Sequence, residues 1–226
     1  VESYFEGDKI YQYDRIYVTD LCLEDPVLSK VAMDSKLEGK VLVFDHHKTF
    51  TDPKYTSHKF VTVKIEDEYG LCCGTSLFYK HLVSEGLIDK DNKCISEFVE
   101  LTRQHDTWEW RNIYNNEKSR ELAILFESLG YNGYIELITE KLKQQNKSFE
   151  FSSLEQKLIK NRKKQIEEKC QIYEAKVHFQ EILGMKAGIL FIDYDYRNEI
   201  AEYFRQNNFD MDFVMMISLD RNVVSY

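Results

Sequence analysis

Four apolar residues, Val41-Leu42-Val43-Phe44, run without a break into Asp45-His46-His47-Lys48. An uninterrupted apolar run of this length is the pattern of a buried strand. The run ends by delivering one carboxylate and two imidazoles to the end of the strand, and these are side chains that ligate first-row divalent metals. Taken singly, each has a plainer reading: an Asp after a strand caps a turn, and a lone His is more often a hydrogen-bonded core or surface group. The three together at a strand end point to a site.

The same pattern occurs one unit earlier. Arg15-Ile16-Tyr17-Val18-Thr19-Asp20 is a short β-branched and aromatic run that also ends in an acid. Between the two runs, Asp25-Pro26 marks a helix start, with Asp as cap and Pro in the first turn. The segment to Leu37 carries Val27, Leu28, Val31 and Leu37 at near-helical spacing until Gly39 stops it. The unit from Ile16 to Phe44 is therefore β-α-β, and its crossover is right-handed with parallel strands. Parallel strands bring Asp20 and Asp45 to one edge of the sheet, in the crevice where open α/β folds bind ligands.

Downstream, the polar stretch 48–59 reads as a loop, Phe60 to Ile65 as a third strand and 66–70 as a turn. Gly74-Thr75-Ser76-Leu77 opens a helix reaching about Glu85. Its first amides offer a place for a phosphate beside Thr75 and Ser76, with a simple Thr or Ser cap as the equal alternative. A helix from Lys93 carries Ile95, Phe98, Val99 and Thr102 on one face and leads into His105-Asp106-Thr107-Trp108-Glu109-Trp110. That His-Asp pair is a second candidate site, or else a solvated helix end with tryptophans that pack the core. Two further helices are expected near Glu117 to Leu129 and Tyr131 to Gln145, with Gly130 between them.

The composition then shifts. Ser152-x-x-Glu155 is a capping box, and the helix that it starts has Lys157, Lys160, Arg162, Lys163 and Lys164 bunched in its first half. Its length, roughly 25 residues, exceeds the usual globular helix, so 151–182 reads as a connecting helix between a domain at 1–150 and a smaller α/β domain at 183–226. The latter restarts with strands at Ala187 to Ile192, Asp212 to Ile217 and Val223 to Tyr226, and a helix at Asn198 to Gln206. It reads as incomplete.

With 226 residues, 43% hydrophobic and 14% aromatic, the chain can bury one large core or two small ones. A formal net charge of −9 argues against a protein coated in cations for long duplex nucleic acid, so any nucleotide contact is local or made through a metal. Five cysteines, an odd count without a C-x-x-C pair or a secretory signal, read as reduced thiols of a cytoplasmic protein. No apolar run approaches the roughly 18 residues of a membrane span, so no membrane contact is expected of these residues. The start at Val1 without Met reads as a cut end, which leaves an anchor elsewhere open.

At Val43-Phe44-Asp45-His46-His47, preceded by a strand ending in Asp20 and followed by His105-Asp106, the sequence resembles the DHH phosphoesterase family. The resemblance covers most of the chain, because that family has a DHH domain, a connecting helix and a smaller C-terminal domain in this order. It implies an α/β fold with a parallel-sheet DHH domain and a site for two manganese ions, with magnesium as a substitute. By this resemblance Asp20 bridges the two metals, His46 and Asp106 ligate the second of them, and His47 faces the phosphate as a catalytic contact. Asp45 supports an imidazole. Thr75 and Ser76, from the helix start, and His105, from the helix-end pair, are the substrate-side candidates. The physics is compatible: two divalent ions in proximity need a bridging carboxylate, mixed oxygen and nitrogen ligands suit manganese, and such a pair clamps both oxygens of an in-line displacement.

Two departures accompany the resemblance. The family's His-x-Asp-x-Asp motif has no counterpart before Tyr13, and its glycine-rich, His-containing C-terminal loop is not found before Tyr226. The expectation is that both lie outside these 226 residues. The resemblance then implies a phosphodiesterase that cleaves short single-stranded oligonucleotides or dinucleotides to 5′ mononucleotides, with such a substrate, and optionally a second copy in a homodimer, as partner. The alternatives are a hydrolase of pyrophosphate or nucleoside bisphosphate, and a non-catalytic nucleotide-binding module.

Overall fold

The structure is a computed structural model that describes residues 2–5, 7–144, 147–193, 196–207 and 209–226. The chain divides into two compact units, Val1–Glu150 and Phe151–Tyr226. The first contains α1 (Glu2–Phe5), β1 (Ile16–Thr19), α2 (Asp25–Met33), β2 (Val41–Asp45), α3 (Pro53–Thr56), β3 (Val61–Val63), β4 (Glu66–Asp67), β5 (Gly70–Leu71), α4 (Gly74–Ser84), α5 (Lys93–Asp106), α6 (Glu109–Asn112) and α7 (Glu117–Leu142). The second contains α8 (Ser153–Glu174), β6 (His178–Ile182), β7 (Met185–Phe191), α9 (Arg197–Gln206), β8 (Phe213–Ser218) and β9 (Val223–Ser225). Both units mix helices and strands, so the fold class is α/β.

In the first unit β1, β2 and β3 lie side by side and parallel, with Thr19 paired to Phe44 and Asp45 to Val63. The apolar run of β2 is explained by burial on both faces. Val41 and Val43 join a core with Val27, Leu28 and Val31 of α2, whereas Phe44 packs on the other side with Cys72 and Leu77 of the α4 region. Because side chains alternate along a strand, Asp45 takes the same parity as Val41 and Val43. It is fully buried.

Several boundaries differ from the sequence reading for local reasons. Helix α2 stops at Met33 because Asp34 turns to an extended conformation, its carboxylate accepting from the Tyr11 hydroxyl at 2.5 Å and the Lys36 amide at 2.9 Å. Leu37 is buried from a turn rather than a helix. Glu24 occupies the cap position before Asp25, with no side-chain hydrogen bond. The expected loop at 48–59 holds a 3-10 turn, Lys48–Phe50, and α3, whose cap Asp52 accepts from the Lys54 amide at 2.8 Å. Asp52-Pro53 is thus the same start signal as Asp25-Pro26. The expected turn at 66–70 is the β4–β5 hairpin. Gly130, at φ 66° and ψ 176°, breaks α7, and the expected helix end at Gln145 lies outside the described residues.

The second unit opens with the capping box at Ser152, whose Oγ accepts from the Glu155 amide at 3.3 Å while Glu155 accepts from the Ser152 amide at 3.0 Å. Helix α8 ends at Glu174, short of the expected 182, because 178–182 forms an antiparallel hairpin with β7. Leu183 and Gly184, at φ 52° and 79°, make its tight turn. The sheet order is β6-β7-β8-β9, with β7 and β8 parallel and the outer pairs antiparallel. Among the described residues no helix is long and apolar enough to cross a membrane.

Candidate active site at the edge of the parallel sheet

Strands β1 and β2 leave the sheet together. The Asp20 amide donates to Phe44 O at 2.9 Å, one step beyond the last regular pair, and Asp20 then turns into the left-handed region at φ 63°, which Asp tolerates better than most residues. Its side chain is left half-exposed at the sheet edge. From β2, His46 reaches back so that its Nε2 lies 3.0 Å from Asp20 Oδ1 and 3.1 Å from Asp106 Oδ2. One imidazole nitrogen therefore sits between two carboxylates from residues 86 positions apart in sequence.

Asp45, buried behind them, does not reach this cluster. Its Oδ1 accepts from the His46 amide at 2.7 Å and the His47 amide at 3.2 Å, and lies 2.7 Å from His47 Nδ1. That bond fixes the His47 ring and leaves Nε2 as its nitrogen for a ligand. The hydrogen bond to Asp45 also raises the His47 pKa above the ordinary imidazole value, against the opposing effect of burial. Asp45 Oδ2 is buried without a hydrogen-bond partner among the described residues.

Asp20, His46 and His47 present ligand atoms that all lie within 4.8 Å of one another, and Asp106 joins through His46. Burial pushes the Asp106 carboxyl above the usual carboxylate range and the negative charge of Asp20 adds to it, with His46 opposing. Two carboxylates held together in this way gain from a cation between them. The mixed oxygen and nitrogen donor set fits a first-row divalent metal.

Asp106 is placed from the opposite wall. It ends α5, and one turn earlier the buried Arg103 clamps that helix. Arg103 gives Nε and Nη2 to the two oxygens of Glu100 at 2.8 and 2.7 Å, and Nη1 to Leu71 O at 2.8 Å and to Glu109. This ties α5 to β5, which leads directly into α4. At the start of α4 the cap is Cys73 rather than Thr or Ser: its Sγ accepts from the Ser76 amide at 3.3 Å, and the Ser76 hydroxyl accepts from the Cys73 amide at 3.0 Å and donates to Cys73 O at 2.9 Å. Ser76 is buried and held in this cap, so it is not a pocket residue.

Beside the carboxylates lies a cavity of ≈ 300 Å³, with Asp20, Cys73, Thr75 and Asp106 in its lining. His105, Thr102, Phe126 and Tyr134 also line it. Burial, followed by the charge of Arg120, lowers the His105 pKa, and its ring stacks on Trp110 with centroids 6.5 Å apart. Trp110 is buried and Trp108 lies exposed under Arg111; neither lines the cavity. The bend at Gly130 lets Phe126 and Tyr134, on the two halves of α7, meet edge to face at 5.2 Å.

Among curated proteins, the chain is similar to Oligoribonuclease NrnB of Bacillus subtilis (strain 168), 27% identical over 218 residues. The match covers 94% of this chain. The resemblance to the DHH phosphoesterases holds. The chain spans about half (52%) of the length of that relative. No protein-family model matches it. A solved structure of an uncharacterized protein from Helicobacter pylori G27 aligns over 90% of this chain and 66% of its own, with a TM-score of 0.43 and 16% identity.

The triplet thus divides at the end of β2, with Asp45, the last strand residue, buried and His46 and His47 just beyond the strand. Sequence reading passed over Gly74 as anything beyond a helix start, and passed over Phe126 and Tyr134 altogether. A glycine opening a helix directly after two cysteines was the one available signal for the first. The aromatic pair had none, because its meeting depends on the bend at Gly130.

Proposed function

We propose that the chain contributes the active site of a phosphodiesterase that hydrolyses short single-stranded oligonucleotides or dinucleotides to 5′ mononucleotides, with two manganese ions that magnesium can replace. The observation that carries this reading is His46 Nε2 lying 3.0 Å from Asp20 Oδ1 and 3.1 Å from Asp106 Oδ2. The name of the B. subtilis relative supports the choice of a short RNA substrate.

In this reading Asp20, His46 and Asp106 hold the metal. When bound, a divalent pair supplies Lewis acidity and a nucleophile at neutral pH. The residues of this chain do the rest. Asp45 holds the His47 ring in one orientation and keeps a proton on it to higher pH, so His47 donates a hydrogen bond to a phosphate oxygen. Thr75, at the start of α4, brings a hydroxyl and the helix's positive end to the same side.

The test is an assay of the full-length protein with manganese on labelled RNA of two to five nucleotides, together with metal content. Cleavage to mononucleotides, with about two manganese per full-length chain, supports the reading, and Asp20→Ala then abolishes turnover. Full turnover by Asp20→Ala overturns it. Nucleotide bound without metal or cleavage replaces it with a binding module, and faster turnover of pyrophosphate than of a dinucleotide replaces it with a small-phosphate hydrolase.

A further inference from the structure

We propose that the solvent face of α8, carrying Lys157, Lys160 and Lys164, is a binding surface of the second unit for the phosphate chain of single-stranded RNA. The choice of RNA as the polyanion rests on the phosphodiesterase reading above.

The charge order of α8 is the reverse of what stabilises a helix. Between Glu155 and Glu167 the chain places Lys157, Lys160, Arg162, Lys163 and Lys164 and no acid, although its net charge is −9. Apart from Glu155 of the capping box, the acids of α8, Glu167, Glu168 and Glu174, gather in its second half, and no cation stands in its last turn. The helix dipole favours acids first and cations last. Like charges three and four residues apart also cost helix stability. An anion laid along the first half of α8 offsets both effects, and the positive end of the dipole adds to its attraction.

These cations do not all serve the same end. Glu155, Ile159, Ile166, Cys170 and Tyr173 are buried and define the inward face of α8. Arg162 flanks that face: its Nη1 donates to the Tyr196 hydroxyl at 3.1 Å, and its guanidinium lies 5.2 Å from the centre of the Tyr196 ring. Lys157, Lys160 and Lys164 are exposed and, at i, i+3 and i+7, share the opposite side with the exposed Asn161. Lys164 also pairs with Glu168 at 3.5 Å, but both are widely exposed, so water and salt screen that contact. The three lysines span about 10 Å of helix axis, a length over which a stacked strand presents about three phosphates. A helix that lies in a lipid surface inserts an apolar face, whereas the apolar face of α8 is used inside its own unit. What remains outward is ammonium and amide, which suit phosphate oxygens.

The experiment measures, by fluorescence anisotropy with the full-length protein in manganese, binding of a labelled RNA strand of about ten nucleotides over a series of salt concentrations. Its linkages are phosphorothioates, which keep the charges and slow cleavage. Each phosphate contact contributes about −0.7 to the slope of log affinity against log salt for a single strand. The slope is therefore expected to fall by about 2 when Lys157→Gln, Lys160→Gln and Lys164→Gln are combined, and by about 0.7 in each alone. The three Lys→Arg changes should keep the wild-type slope, and kcat/KM on a dinucleotide should stay at the wild-type value in every variant. If the triple Gln variant does not fold, judged by circular dichroism, the single variants supply the same test. A slope that the Gln changes leave unaltered overturns the surface, as does binding of vesicles rich in phosphatidylserine without binding of RNA. Loss of slope in the Gln variants, with no cleavage of the dinucleotide by the wild-type protein, leaves the surface standing and overturns the phosphodiesterase reading.

Discussion

Gly74 is packed against the backbone of Asp20: a Cβ placed on Gly74 would lie 2.4 Å from the Asp20 nitrogen, 2.7 Å from its Cα and 2.8 Å from its Cβ. Backbone cannot move aside as a flexible side chain can, so even a methyl group forces either α4 or the end of β1 to shift. Gly74→Ala is expected to destabilise the protein by roughly 1–3 kcal/mol and to weaken manganese binding through displacement of Asp20. Thermal unfolding and calorimetric titration with manganese measure the two effects. Unchanged metal affinity would show that Asp20 is held elsewhere.

Asp45→Asn keeps an acceptor for the His46 and His47 amides but removes the charge beside His47 Nδ1. The His47 pKa is raised in the folded protein, so the stabilisation it reports is complete below the ordinary imidazole pKa and is lost as pH rises through the folded value. NMR titration of the imidazole protons in metal-free protein should show the His47 midpoint falling in Asp45→Asn. A midpoint that stays in place would detach His47 from Asp45.

A second carboxylate gives the opposite pH dependence. Burial would raise Asp67, but Lys80, the Tyr69 amide and the Cys72 thiol outweigh it and bring the pKa from 3.8 to about 2. The resulting stabilisation is present above about pH 4 and disappears as pH falls toward 2. Lys80→Met should therefore cost about 1 kcal/mol near neutral pH, a figure discounted because Lys80 is 43% exposed, and nearly nothing at pH 2. Urea unfolding at the two pH values checks this. A cost independent of pH would assign the loss to packing.

Arg103 offers the largest single effect on stability. Truncation to Ala leaves the buried Glu109 without its cation and is expected to cost about 3–5 kcal/mol. Arg103→Lys should also destabilise, since an ammonium cannot reproduce the paired bonds to Glu100. Chemical denaturation ranks the three proteins, and a wild-type-like Arg103→Lys would mean that charge alone suffices.

The residues of the carboxyl-edge cluster were legible for a definite reason. Two strand-like runs ending in acids, with one helix between them, admit only a parallel pairing, and this alone brings Asp20 and His46 together. Asp106 was singled out with His105 as a helix-end pair, but its role beside His46 came by likeness to a family and could not have been placed by periodicity, because its approach depends on how Arg103 fastens α5 to β5. The cap of α4 was misread because a cysteine seldom takes that position, and Cys73 does so only with Ser76 returning a bond. Strand β6 was hidden inside an apparent helix because Tyr173 and Val177 keep helical spacing past the true end at Glu174. The pocket aromatics lie on elements whose contact is tertiary and leaves no local signature.

The hydrogen bond from the Asp20 amide to Phe44 O makes the spacing of the cluster a count of rungs on the β1–β2 ladder rather than a count of residues along the chain. The crossover between them, α2 and the turn after it, sets no part of the gap between Asp20 and His46. Nature could lengthen, trim or exchange that segment as a replaceable module, and the ligands at its two ends would still meet at the same separation.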